Sequence, residues 1–156
     1  MMTEMTEMTD LGELYRRHAD ELVRYATVLV GPDDASEVVS DAVLGARHTR
    51  WSTVDNPRAY LFRCVHNRAM SQRRADVRRL TRERTTAQPD VAASTDPSID
   101  ALRALDRLST QQRAVVYLTY WEDMTPAAIA DSLGIGQGSV RKQLARAREQ
   151  LRTVLS

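Results

Sequence analysis

LDRLSTQQRAVVYLTYWEDMTPAAIADSLGIGQGSVRKQLARAREQLR, residues 105–152, carries three short helical patterns separated by start and stop signals. Ser109 with Gln112 three positions on has the form of a capping box, and Val115, Val116, Leu118 and Tyr120 follow as apolar positions. Thr125 before Pro126 supplies an N-cap and a first helical residue, with Ala127, Ile129, Ala130 and Leu133 as a short apolar face. Gly134 is placed to close that helix, and a last helix is expected to begin near Gln137. Two short helices joined by a glycine-containing turn outline a helix-turn-helix, whose second helix enters the DNA major groove.

The last helix divides into two faces at about 100° per residue. Val140, Leu144, Ala147 and Leu151 fall in one stripe that must face the preceding helices. Gly138, Lys142, Ala145 and Arg146 lie opposite, flanked by Ser139 and Arg141. From 136 to 156 there are five basic residues and one acid, so the outward face is cationic at its N-terminal end, where phosphates and base edges are contacted. The competing reading is a solvated amphipathic helix in an ordinary bundle; the turn signals ahead of it favour DNA.

Working outward, charge is strongly segregated along the 156 residues although the net charge is only +1. Residues 1–41 hold ten acids and three arginines, whereas 58–84 hold nine arginines and two acids. Such segregation points to a polyanion on one face and a basic protein surface on another. The alternative is that the helices simply pair with one another. Cys64 is the only cysteine and the histidines, His18, His48 and His66, lack ligand spacing, so neither a disulfide framework nor a metal site nor any other cofactor is expected. With no phosphate loop, nucleophile elbow or framed carboxylate pair, an enzyme is not expected. The N-terminus lacks an apolar core and the longest apolar run, Ala26–Val30, is too short for a bilayer, which implies no membrane insertion and a cytoplasmic location.

The first nine residues read as disordered, and Asp10 with Glu13 reads as a second capping box. Leu11, Leu14, His18, Leu22, Tyr25 and Leu29 then define a helix of about 18 residues that Gly31-Pro32 ends. Asp33 or Asp34 opens a second helix with Ala35, Val38, Val39, Ala42, Val43 and Ala46 inside, and with Ser36, Glu37, Ser40 and Asp41 outside. Asn56-Pro57 opens a third, with Tyr60, Leu61, Cys64, Val65 and Ala69 inside, running on into an arginine-rich tail. The segment 85–96 lacks periodicity and reads as a linker, after which Asp96-Pro97 opens a helix leading to Leu102, Leu105 and Leu108. The expected fold is all-α: two small helical modules, 10–84 and 97–156, joined by a flexible linker, the second a helix-turn-helix.

In their order these parts resemble the extracytoplasmic-function (ECF) sigma factors of bacterial RNA polymerase, of actinobacterial type. YATVLVGPDDASEVVSDAVL at 25–44 is similar to the core-binding helix of region two, and NPRAYLFRCVHNRAMSQRR at 56–74 to its promoter-melting helix. RAVV at 113–116, YWED at 120–123, LGI at 133–135, GSV at 138–140 and RAR at 146–148 are similar to region four. The resemblance implies a protein that binds core RNA polymerase through Glu37, Ser40 and Asp41. It implies that Arg63, Asn67, Arg68 and Arg73 hold the minus-ten element, with Trp51 and Asn56 in a loop that cradles an unstacked base; the other reading of Trp51 is a core plug at a helix turn. It further implies that Ser139, Arg141, Lys142 and Arg146 read the minus-thirty-five element, and it allows an anti-sigma factor as a third partner. The mechanism would be recruitment and strand trapping by binding alone. Ser40, Val43, Gly45 and Arg47 depart from the family pattern in the second helix, as do Lys142 and Gln143 in the last. Two other classes remain: a helix-turn-helix regulator that does not engage polymerase, and a degenerate sigma-like interaction protein.

Overall fold

The structure, a computed structural model, describes residues 2–83 and 104–155. Those residues include six α-helices and one 3-10 turn, α1 (Met2–Val30), α2 (Ala35–Gly45), the turn Trp51–Thr53, α3 (Pro57–Glu83), α4 (Thr110–Tyr120), α5 (Pro126–Leu133) and α6 (Gln137–Leu155), and residues 104–106 are also helical. The linker 85–96 and the helix start at Asp96-Pro97 lie outside the described residues.

Most helix boundaries follow local chemistry. Gly31, at φ 91°, ends α1 and its N–H donates to the Thr27 carbonyl at 2.9 Å. Asn56 Oδ1 accepts from the Ala59 N–H at 3.1 Å at the head of α3. Ser109 and Gln112 form the reciprocal capping box of α4. At α2 the expected Asp34 stands at the N-cap, but its side chain makes no capping hydrogen bond. The start of α1 is a correction: it begins at Met2 and runs through Asp10, so the predicted capping box at Asp10 and Glu13 does not form and the expected disordered leader is helical. Met and Glu, which alternate with Thr in 2–8, are good helix formers, and acids near a helix N-terminus complement its dipole. A potential cap therefore does not stop a helix whose preceding residues can themselves continue it.

Tyr25, Phe62, Leu22, Leu29, Val38, Val39, Leu61 and Val65 are fully buried where α1, α2 and α3 meet. Phe62 packs tilted against Tyr25 at 5.1 Å between ring centroids, and the Arg58 guanidinium lies 5.2 Å above the Phe62 ring. Sequence periodicity had placed neither Phe62 nor His66 in the core, although both are buried.

The core does not stop at α3. Ala114, Val115, Tyr117 and Leu118 of α4, Ile129 and Leu133 of α5, and Val140 of α6 belong to the same continuous apolar cluster as the residues of α1–α3. A smaller cluster of Leu105, Leu108, Val116 and Ala147 closes the far side, with Val28 of α1 packed against it. The all-helical class is as the sequence indicates. The placement of the two halves, which no local pattern determines, is face to face: α5 lies along α3, and α4 lies along α1.

Candidate nucleic-acid interface

The turn before α6 is built from three local devices. Thr125 Oγ1 accepts from the Ala128 N–H at 3.1 Å and Pro126 occupies the first turn of α5. Gly134 ends α5 in the left-handed region, at φ 69° and ψ 35°, where a β-carbon would be strained. The Ile135 N–H donates to the Ala130 carbonyl at 3.1 Å, and Gly136 then offers its carbonyl to Val140 N–H. Val140 and Ala147 seat α6 on the core, while Leu144 and Leu151 are half-buried behind them. Arg148 fastens the helix laterally, donating from Nε to the Tyr120 hydroxyl at 2.8 Å.

Ser139, Arg141, Lys142 and Arg146 are all exposed on α6, as the angular reading requires. Among the described residues none of these three cations has an ion-pair partner. A cluster of exposed cations along the first turns of a helix, where the dipole and unpaired N–H groups also favour anions, is suited to a phosphate backbone with base edges beneath it.

The α2–α3 side is more engaged. Glu37 and Ser40 are exposed, but Asp41 is ion-paired: Arg68 donates from Nη2 at 3.1 Å and from Nε at 3.2 Å to the same carboxylate oxygen. Two residues implied to serve different partners thus neutralise each other across α2 and α3. Arg63 and Asn67 are exposed, whereas Arg73 is half-buried and lines a cleft of about 580 Å³ with Arg113, Leu105 and the end of α1. Trp51 is buried, packed edge-on against Tyr60 at 5.4 Å, with its indole N–H unpaired among the described residues. It occupies the core-plug position rather than an open loop. Asn56, Tyr60 and Arg63 line a second cleft, of about 380 Å³, whose other wall is Ala130, Asp131, Gly134 and Ile135.

Five residues that the sequence reading did not single out organise this region: Arg58, Glu21, Glu122, Tyr117 and Arg113. Arg58 donates to Glu21 from Nη2 at 2.7 Å and from Nε at 2.9 Å, and its Nη2 also reaches Glu122 at 3.3 Å. The Tyr117 hydroxyl donates to the other oxygen of Glu122 at 3.0 Å. Burial pushes the Glu21 carboxyl up, but the hydrogen bonds from Arg58 and His18 outweigh it and hold the group below the usual range. For Glu122 burial wins and the carboxyl is raised. The last, Arg113, is buried on α4 and donates only to main-chain carbonyls: Leu105 at 3.1 Å, Leu108 at 3.3 Å and Val28 at 3.0 Å, with Leu29 at 3.5 Å. Its signal was available, because Arg113, Val116 and Tyr117 share one helical face and a cation in an otherwise apolar stripe requires buried acceptors.

An all-helical chain with an exposed basic recognition helix behind a glycine-closed turn is a helix-turn-helix DNA-binding protein. Residues 14–79 match the family model for Sigma-70 region 2, and residues 98–151 that for Sigma-70, region 4. The chain is 33% identical to the RNA polymerase sigma-E factor of Streptomyces coelicolor, over 97% of this chain and 89% of that protein. It is also 33% identical to the ECF RNA polymerase sigma factor SigL of Mycobacterium tuberculosis, over 91% of this chain and 86% of that one. Among solved structures, the sigma factor RpoE of Bartonella quintana, determined in complex with the anti-sigma factor NepR, has the same fold. The TM-score is 0.75 at 23% identity, covering 94% of this chain and 96% of that one. The chain belongs to the ECF sigma factors of bacterial RNA polymerase, which direct transcription initiation.

Proposed function

We propose that this sigma factor binds core RNA polymerase through the exposed side of α2, holds the minus-ten element with α3, and reads the minus-thirty-five element with the outer face of α6. The modules would be 10–84 and 97–156, with 85–96 between them. The observation that carries the reading is the set Ser139, Arg141, Lys142 and Arg146, exposed together on α6. No described helix is long and apolar enough to cross a membrane, which fits work beside polymerase in the cytoplasm. Run-off transcription by core polymerase over a library of genomic fragments tests the function. Discrete transcripts that depend on this chain are expected, and their absence despite firm binding to core polymerase would favour a sigma-like interaction protein.

Within this reading Asp41→Arg should abolish association with core polymerase and leave the fold intact. A half-exposed ion pair contributes about 0–1 kcal/mol, so its loss costs little stability. Arg68→Ala serves as the control, since it breaks the same pair but leaves the acid on α2. Normal competition for core polymerase by Asp41→Arg would overturn the role given to α2.

Lys142 lies on the face opposite the buried stripe, and Arg146 stands one turn further along. Lys142 is assigned to a base and Arg146 to a phosphate. Arg146→Ala should weaken binding to all sequences about equally and lower the salt slope by about one unit. Lys142→Ala should cost about 1–3 kcal/mol on the preferred minus-thirty-five sequence and much less on scrambled DNA. Binding to both duplexes at several salt concentrations distinguishes the two roles. Equal losses for Lys142→Ala on both duplexes would move base reading to Ser139 or Arg141.

A further inference from the structure

The cleft at the end of α1 combines apolar walls with unneutralised charge. It encloses about 580 Å³, within the range of about 300–1,000 Å³ typical of small-molecule sites. Its apolar walls come from Val28, Leu29, Val30 and Pro32 on one side and from Leu105 on the other. Two guanidiniums converge on it. Arg113 is only 5% exposed and bonds main-chain carbonyls through Nε, Nη1 and Nη2, which leaves the second N–H of Nη2 without an acceptor among the described residues. Arg73, half-buried on α3, has no hydrogen-bond or ion-pair partner among those residues. Burial lowers the proton affinity of Arg113; Asp106 offsets part of that, and the neighbouring Arg73 charge lowers it further. Asp106 stands 3.9 Å from Arg113 but is 73% exposed, so solvent screens it, and no other acid is among the described residues of the lining. The carbonyls of Val28 and Leu29 are already taken by Arg113. Two cations are thus held together beside an apolar hollow with little to neutralise them.

We propose that this cleft binds a small organic anion: an oxyanion carried on an apolar body, of which a fatty or aromatic carboxylate is the simplest form. The oxyanion sits between Arg73 and Arg113, where it relieves the repulsion of two partly desolvated cations and takes charge-assisted hydrogen bonds from them. The apolar body lies against Val30, Pro32 and Leu105 and removes their surface from water. Each half of that description excludes a class of ligand. A cation is repelled by both guanidiniums, and a bare inorganic anion leaves the apolar walls wet. The walls come from α1, α3 and the stretch from Leu105 to Arg113, which lie far apart in the chain, so the unfolded chain has no such site. A bound ligand therefore stabilises the fold.

The test titrates the full chain with anilinonaphthalene sulfonate, an anion on an apolar ring system whose fluorescence rises in apolar surroundings. A single saturable site is expected. Octanoate should displace the dye and raise the thermal midpoint of the chain, whereas octylammonium and inorganic phosphate at the same concentration should do neither. Arg73→Met keeps much of the bulk of the stem and drops the charge; it should weaken the dye by about 10- to 100-fold, the loss of a charge-assisted hydrogen bond. Arg74→Met is the control, because Arg74 is the exposed neighbour on α3, lies off the lining and removes the same charge. It should leave the affinity unchanged. Arg113 is kept, since it also holds α1 to α4. If Arg73→Met loses its helical circular dichroism, Val30→Glu takes its place, because a tethered carboxylate in the cleft should exclude the dye. Equal losses for Arg73→Met and Arg74→Met, or displacement by octylammonium as strong as by octanoate, would mean adsorption to an arginine-rich surface and would overturn the site. Displacement by phosphate as strong as by octanoate would overturn the apolar half of the ligand.

Discussion

Arg113→Ala is expected to destabilise the fold by about 3 kcal/mol, because it takes the donor from the Leu108 and Val28 carbonyls, while the Leu105 carbonyl keeps the Leu108 N–H. The guanidinium satisfies the Leu105, Leu108 and Val28 carbonyls, with Leu29 also in reach. An orphaned buried acceptor costs about 1–3 kcal/mol, and water entering the space left behind recovers only part of that. The charge itself is tolerated at the site because carbonyl dipoles surround it and Asp106 lies 3.9 Å away, although burial still lowers its proton affinity. Arg113→Lys should recover only a fraction, since a point-like ammonium cannot span the same fork of acceptors. Urea unfolding provides the measurement: the midpoint should fall sharply at nearly constant slope. A loss below about 1 kcal/mol would mean that the carbonyls find other donors and that Arg113 is not the tie between α1 and α4.

The second large effect is on stability between pH 6.5 and 4. His66 is buried beside Tyr25, whose hydroxyl lies 3.2 Å from Nδ1, and burial pulls the imidazole down from 6.5 to about 4. Burial also raises the Tyr25 hydroxyl, so the phenol keeps its proton and shares a hydrogen bond with a neutral ring, the donor being set by the imidazole tautomer. A depressed folded value means that the unfolded chain takes up the proton first as the solution is acidified. The stabilisation from neutral His66 is therefore fully present above pH 6.5 and is lost progressively towards pH 4. The limit of the loss is about 3 kcal/mol across that window. His66→Gln, which retains a hydrogen-bond partner for Tyr25 without a titrating ring, should remove this part of the pH dependence. Glu21 is held low, so its contribution is lost mainly at more acidic pH and appears equally in both proteins. Thermal unfolding of the two proteins at intervals of pH supplies the comparison; parallel curves through the window would rule out His66 as the titrating group.

What the amino-acid order determined by itself was everything that acts within a turn or two of helix. The capping box at Ser109 and Gln112, the Thr125-Pro126 start, the left-handed stop at Gly134 and the break at Gly31-Pro32 all depend on groups a few bonds apart. The faces of α6 were legible for the same reason, because a period of about 3.6 residues fixes which side chains point together. Its basic side was thus readable before any packing was known. The Asp10 signal failed because a cap is only a preference, and a helix-forming stretch before it overrides that preference.

Tertiary structure alone decided which face meets which. Periodicity identifies a buried stripe but carries no label for its partner, so two apolar halves of the chain could be separate modules or could share one core, as Tyr25 and Tyr117 do. It also decided the fate of charges that local patterning treats as solvated. Arg113 and Val28 are 85 positions apart, Arg58 and Glu122 are 64 apart, and Arg68 and Asp41 are 27 apart. Trp51 illustrates the same limit, because its indole fits equally well an open loop or a plug against Tyr60 until the loop is placed. Desolvation and hydrogen-bond satisfaction depend on what surrounds a group in three dimensions, and for these residues the surroundings come from distant parts of the chain.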